Sequence, residues 1–184
     1  PNQDTRIVVK ANLSTPYSIY GTVESGKAFN MTGGGSGMYY YWSDRGQSAV
    51  TNYYNQTHVY EQDKNICRVD GNLYHTYTHK TWQATTNIYL FGRNSGSNSL
   101  NDAGTVQIYS CQIYNNGTLV RNFVPCKNAS GEIGMYDLVE NKFYGNNGSG
   151  SFTAGTFVSK YEFMLTYPGL GFTTGPEKYN RWMQ

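Results

Sequence analysis

The sequence predicts an all-β protein, a two-sheet antiparallel sandwich. The first reason is a series of short runs alternating apolar and polar residues, evenly spaced and separated by glycine and asparagine. The second is composition: 18 Tyr and 21 Gly stand among many Thr and Asn, with few of the Ala, Leu, Glu and Lys that favour helices. The third is that no apolar pattern of period 3.6 persists for the dozen or so residues a stable helix needs. At 184 residues, with 16% aromatic and 14% charged residues, the chain has apolar surface to bury and little self-repulsion. That excludes ordinary disorder and suits one domain, with or without an appendage.

The elements follow in order. Ile7, Val9, Ala11 and Leu13 share one face of a first strand, with Arg6, Lys10 and Asn12 opposite. Tyr17 to Val23 and Lys27 to Met31 come next, before a break at Gly33-Gly34-Gly35-Ser36-Gly37. Met38 to Trp42 and Thr57 to Glu61 read as further strands. Ile66 to Asp70 and Leu73 to Thr78 flank Gly71-Asn72 and predict a hairpin, since Asp-Gly readily takes positive φ. Asn87 to Phe91 and Thr105 to Tyr114 are the most regular runs, the second ending at Asn115-Asn116-Gly117. Its apolar residues Val106, Ile108, Cys111 and Ile113 change parity, which predicts a central strand covered on both faces. Val120 to Cys126, Gly134 to Leu138 and Phe143-Tyr144 complete the series. Gly145 to Gly155 reads as a loop around a short final strand or as the domain's end. The expected domain is 1–155, and 156–184 is a C-terminal extension or linker towards a further module.

A formal net charge of +2 is too small for a phosphate-backbone binder, so no nucleic-acid partner is expected. The longest apolar runs, such as Ile7-Val8-Val9 and Ile88-Tyr89-Leu90-Phe91, fall far short of a membrane span, so no membrane insertion is expected. The opening Pro1-Asn2-Gln3-Asp4 shows no basic and apolar leader. Cys67, Cys111 and Cys126 cannot close a disulfide framework and match no zinc spacing, so they are expected to be reduced and structural. The Asn-x-Ser/Thr triplets, Asn30-Met31-Thr32 among them, are the chance yield of this composition.

The run LVRNFVPCKNASGEIGMYDLVENKFYGNNGSGSFTAG (Leu119 to Gly155) resembles the C-terminal part of LamG-like, concanavalin A-like jelly-roll modules. NIYLFGRN (Asn87 to Asn94) and GTVQIYSCQIYNNG (Gly104 to Gly117) match in the expected order, and ICRVDGN (Ile66 to Asn72) resembles the preceding hairpin. The resemblance covers most of 60–155. It implies a concanavalin A-like jelly roll of the kind found in bacteriophage tail or adhesin proteins and gut-bacterial surface proteins. Such modules serve as lectins, protein binders or spacers, so the fold alone does not choose among them.

Catalysis finds little support. A glycoside hydrolase needs two carboxylates flanking a sugar cleft. Glu61 and Asp63 share a strand face, but Lys64 and Asn65 follow where a third acidic position would stand. No nucleophile elbow or zinc-protease helix motif occurs. His75, Tyr77 and His79 fall on one face without evident further ligands, and Asp102 is a lone carboxylate in a loop, a weak basis for calcium. No metal site and no obligate cofactor are therefore expected.

The richest feature is Met38-Tyr39-Tyr40-Tyr41-Trp42-Ser43-Asp44-Arg45 after the glycine run. Tyr39 and Tyr41 face one way, Tyr40 and Trp42 the other. One pair enters the core; the other is exposed or covered by a partner. Tyr and Trp offer flat faces to sugar C–H groups and lose little entropy on ordering. The expected ligand contacts are Tyr40, Trp42, Asp44 and Arg45, with Trp82 as a further candidate, and the two pairs of faces could be exchanged. The sequence thus suggests a non-enzymatic, lectin-like module on a virion (phage tail or fibre) or bacterial cell surface. Its expected partners are a surface polysaccharide or glycoprotein of a host cell and other subunits of that assembly. The alternative is a structural virion or cell-surface module that binds no sugar. A glycoside hydrolase using Glu61 is the third reading.

Overall fold

The predicted alternation of the first strand is realised in β1 (Thr5–Leu13), where Thr5, Ile7, Val9, Ala11 and Leu13 are buried and the residues between them are not. The computed structural model describes residues 1–14, 16–34, 37–48, 53–148 and 150–155, and of Arg45, Gln47 and Ser48 the backbone alone. The extension expected at 156–184 lies outside the described residues. There follow β2 (Ser18–Glu24), β3 (Lys27–Gly34), β4 (Gly37–Ser43), β5 (Arg45–Ser48), β6 (Thr57–Asp63), β7 (Ile66–Val69) and β8 (Asn72–Thr76). Three short strands come next, β9 (Tyr89–Leu90), β10 (Arg93–Asn94) and β11 (Leu100–Asn101). The last four are β12 (Val106–Asn115), β13 (Thr118–Lys127), β14 (Ile133–Asp137) and β15 (Lys142–Tyr144). Among the described residues there is no helix.

The chain divides into two compact units, Pro1–Asn122 and Phe123–Gln184. The first holds two sheets, ordered β12-β1-β6-β7-β8 and β11-β10-β2-β3-β4-β5, with β9 also pairing β2. This is a β-sandwich arrangement. It is not wholly antiparallel as predicted, because β10 runs parallel to β2 where Asn94 meets Thr22. The predicted Asn87–Phe91 strand is cut to β9 because Phe91 takes φ 63°, turning the chain back into β10. β5 escaped the sequence reading: Ser43, at φ 58°, opens a tight reversal that sets Arg45 opposite Trp42. The β7–β8 turn is as expected, with Asp70 and Gly71 at φ 50° and 78°.

The parity change in β12 has a different origin from the one predicted. Lys10 faces Ser110 and Ala11 faces Ile108, so Tyr109 is a bulge residue without a partner on β1. The bulge resets the alternation. Val106, Ile108, Cys111 and Ile113 all oppose the inward residues Leu13, Ala11, Val9 and Ile7, on one face and not two.

In the first unit, the first sheet buries Ile7, Val9, Leu13, Tyr60, Cys67 and Cys111, and the second buries Tyr20, Phe29, Met31, Met38, Tyr40 and Trp42. Polar side chains also cross this interior. The Tyr20 hydroxyl donates to Gln62 Oε1 (3.0 Å), Gln62 Nε2 donates to the Tyr41 carbonyl (2.9 Å), and the Tyr40 hydroxyl donates to the Arg68 carbonyl (2.9 Å). These bonds hold the layers in register while satisfying groups that would otherwise be costly to bury.

In the second unit, Phe123 to Lys127 of β13 pair with β14, and β14 pairs with β15 around a turn at Asn141, φ 54°. Phe123 and Tyr144 meet edge to face at 5.6 Å between ring centres. The described part of Gly145 to Gly155 carries no strand.

Candidate functional site

Position on β4 decides which aromatics are available to a ligand. Tyr40 pairs with Met31 and Trp42 with Phe29, and all four face the first sheet. Tyr40 and Trp42 are fully buried. Trp42 stacks on Tyr77 at 6.2 Å and meets the edge of Trp82 at 5.8 Å. Trp82 is itself buried and pinned at its backbone by Gln3. The expectation that Tyr40, Trp42 and Trp82 contact ligand is therefore corrected: Tyr40 and Trp42 are turned into the core beside Met31 and Phe29 of β3, and Trp82 packs there against Phe29 and Trp42. Asp44 sits in the exposed reversal and accepts from Lys80 Nζ at 2.8 and 2.7 Å. The Arg45 side chain lies outside the described residues. Of the described members of the predicted set, Trp42 and Trp82 meet inside the core, while Asp44 is exposed.

The opposite face of the same sheet gathers a different set. Across it, Tyr89 of β9 opposes Gly21 of β2, Gly21 opposes Asn30 of β3, Asn30 opposes Tyr41 of β4, and Tyr41 opposes Gly46 of β5. One row along, Ser18, Thr32 and Tyr39 oppose one another. Glycine shapes this face. A Cβ at Gly46 would lie 2.6 Å from Tyr41 Cε1, and one at Gly34 would lie 2.2 Å from Tyr39 Cε2. Each ring therefore rests on bare backbone, and both tyrosines stay half-buried. Asn30 lies over Gly21 in the same manner: a Cβ there would be 2.2 Å from its Oδ1. Every residue of the two rows is uncharged.

The other candidates are engaged elsewhere. Glu61 accepts from Arg6 Nε at 2.7 Å and lies 3.6 Å from Arg68 Nη1, while Arg6 also covers the Tyr114 ring. Asp102 pairs with Arg93. Tyr77 is in the core and β8 ends at Thr76, so His75, Tyr77 and His79 do not continue as one strand face. Among the described residues no group of three or more His, Cys, Asp or Glu could hold a metal ion.

Two polar arrangements were missed. Glu24 Oε1 accepts from the backbone nitrogens and hydroxyls of both Thr85 and Thr86, at 2.7 to 3.0 Å. Desolvation pushes this carboxyl up, but those bonds outweigh it and hold its pKa down to about 2. His58 Nδ1 meets Asp70 Oδ2 at 2.6 Å, and Asp70 Oδ1 accepts from Val59 N at 2.8 Å. His58 Nε2 and the Tyr60 hydroxyl are buried without hydrogen bonds within the described residues. Twelve residues separate His58 from Asp70, and no local pattern announces their contact.

The fold and this face define a β-sandwich protein with an uncharged, tyrosine-bearing sheet surface. Compared with protein-family models, curated proteins and solved structures, the chain matches none.

Proposed function

We propose that the chain is a non-enzymatic recognition module, a lectin-like concanavalin A-like jelly roll of a phage tail or fibre or of a bacterial surface adhesin, binding a host-surface glycan. The domain would span 1–155, with 156–184 leading to a further module. The observation that carries the reading is the seating of Tyr39 and Tyr41 over Gly34 and Gly46, at half-buried positions on the side of β4 opposite the inward Tyr40 and Trp42. Flat, uncharged aromatic surface of this kind stacks on the apolar face of a sugar ring. The engagement of Glu61 by Arg6 and Arg68 supports the non-enzymatic part. A glycan array and binding to candidate host cells test it: the wild type binds, and Tyr39→Ala with Tyr41→Ala loses at least about tenfold in affinity. Full binding by the folded double variant overturns this placement.

A structural, sugar-free module is the second reading. It is favoured by the edge strand β8, which carries no charge and exposes 67% of Leu73, features open to strand addition by a partner. A wild type that binds neither the glycan array nor host cells would favour it.

A further inference from the structure

We infer that Asn30 is the polar subsite of the tyrosine surface, and that the ligand it takes is an uncharged, hydroxyl-rich saccharide; this rests on the recognition-module reading above. Asn30 is only 2% exposed, yet its Oδ1 makes no hydrogen bond within the described residues. Ser18, fully buried on the same face of β2, likewise leaves its Oγ unpaired. A buried amide and hydroxyl without partners are costly wherever they lie. Here they stand on the face away from the core, while the inward positions of the same strands hold Tyr20, Phe29 and Met31.

The row geometry places Asn30 between two aromatics. Tyr89 lies on one side, across side-chain-free Gly21, and Tyr41 on the other. Because Asn30 Oδ1 is itself buried, a sugar seated against these rings would reach it only as a neighbouring side chain moves aside; its hydroxyl could then both donate to Oδ1 and accept from the amide nitrogen. The chemical class follows from charge. Neither row offers a cation to a carboxylate, sulfate or phosphate group, nor an anion to an amino sugar. The carboxylates at the rim are committed, Glu24 to Thr85 and Thr86, and Asp44 to Lys80.

Affinity electrophoresis through gels containing neutral mannan, dextran or mixed-linkage glucan, anionic alginate, or cationic chitosan tests the inference. The expected result is retardation by at least one neutral polymer, unchanged by added salt, with Asn30→Ala weakening it by about tenfold. Asn30→Ser, which keeps a hydroxyl, should recover part of that loss. Equal retardation of a folded Asn30→Ala variant overturns the inference, as does wild-type retardation by alginate or chitosan alone or retardation that salt abolishes. Those results leave the recognition module standing. Retardation by none of the polymers removes both. If Asn30→Ala does not fold, the polymer class and salt response of the wild type still decide.

Discussion

Tyr20 and Gln62 meet inside the first unit, hydroxyl to amide oxygen at 3.0 Å, with both side chains fully buried. The same amide donates to the Tyr41 carbonyl, so one side chain of β6 ties two strands of the opposite sheet. Gln62 thus supports from beneath the strand that carries the tyrosine surface above.

Replacing Gln62 by Leu leaves the Tyr20 hydroxyl and the Tyr41 carbonyl without this partner. Each buried group left unpaired costs about 1–3 kcal/mol, so Gln62→Leu should destabilise by about 2–6 kcal/mol in urea unfolding. Tyr20→Phe, which strands only one end of the network, should cost less. Equal effects would show that the bond to Tyr41 adds nothing.

The faces of β4 should separate stability from binding. Trp42→Ala empties the space against Tyr77 and Trp82 and should cost about 3–5 kcal/mol. Tyr41→Ala, at a half-buried outward position, should cost about 1 kcal/mol. Reversed magnitudes in thermal or chemical unfolding would invert the assignment.

Gly46→Ala tests the seat of Tyr41 without touching the ring itself. The new methyl would approach Tyr41 Cε1 to 2.6 Å and tilt the ring. Glycan binding should fall while far-UV circular dichroism and cooperative melting persist. Unchanged binding would mean that the orientation of this ring is irrelevant to recognition.

Acid should loosen the Glu24 clamp in a defined window. Its folded pKa of about 2 lies below the ordinary 4.5, so its contribution is present in full above about pH 4.5 and is lost as pH falls towards 2. Asp70 is shifted in the same direction, because hydrogen bonds from Val59 and His58 outweigh its desolvation. Glu24→Gln should therefore melt below the wild type near neutral pH, the gap closing through this window. A gap independent of pH would rule the clamp out as the source.

The fold was legible where alternation is regular. β1 declares its inward face through Ile7, Val9, Ala11 and Leu13, and the β7–β8 turn through Asp70-Gly71. It was less legible where one residue changes the backbone. Phe91 at positive φ divides an apparent strand, and the Tyr109 bulge imitates a strand buried on both faces. The aromatic strand was visible, but its polarity was not. Tyr40 and Trp42 are inward because β3 sets Met31 and Phe29 beside them, a cross-strand fact absent from β4 itself. The signal that could have chosen the outward pair is the glycine at positions 21, 34 and 46, which becomes meaningful only with the pairing register.

The bulge at Tyr109, which has no partner on β1, makes β12 unequally sensitive to changes in length. Removing that residue would bring Ile108 next to Ser110 and restore a regular ladder, with Ala11 and Lys10 keeping their partners. Removing Gln112 instead would invert one end of the strand and turn Ile113 away from Ile7. A single-residue deletion scan along 106–115 should therefore show tolerance at Tyr109 and its neighbour Ser110, either of which can fill the place opposite Lys10, and loss of the β1 register at the interior positions beyond them.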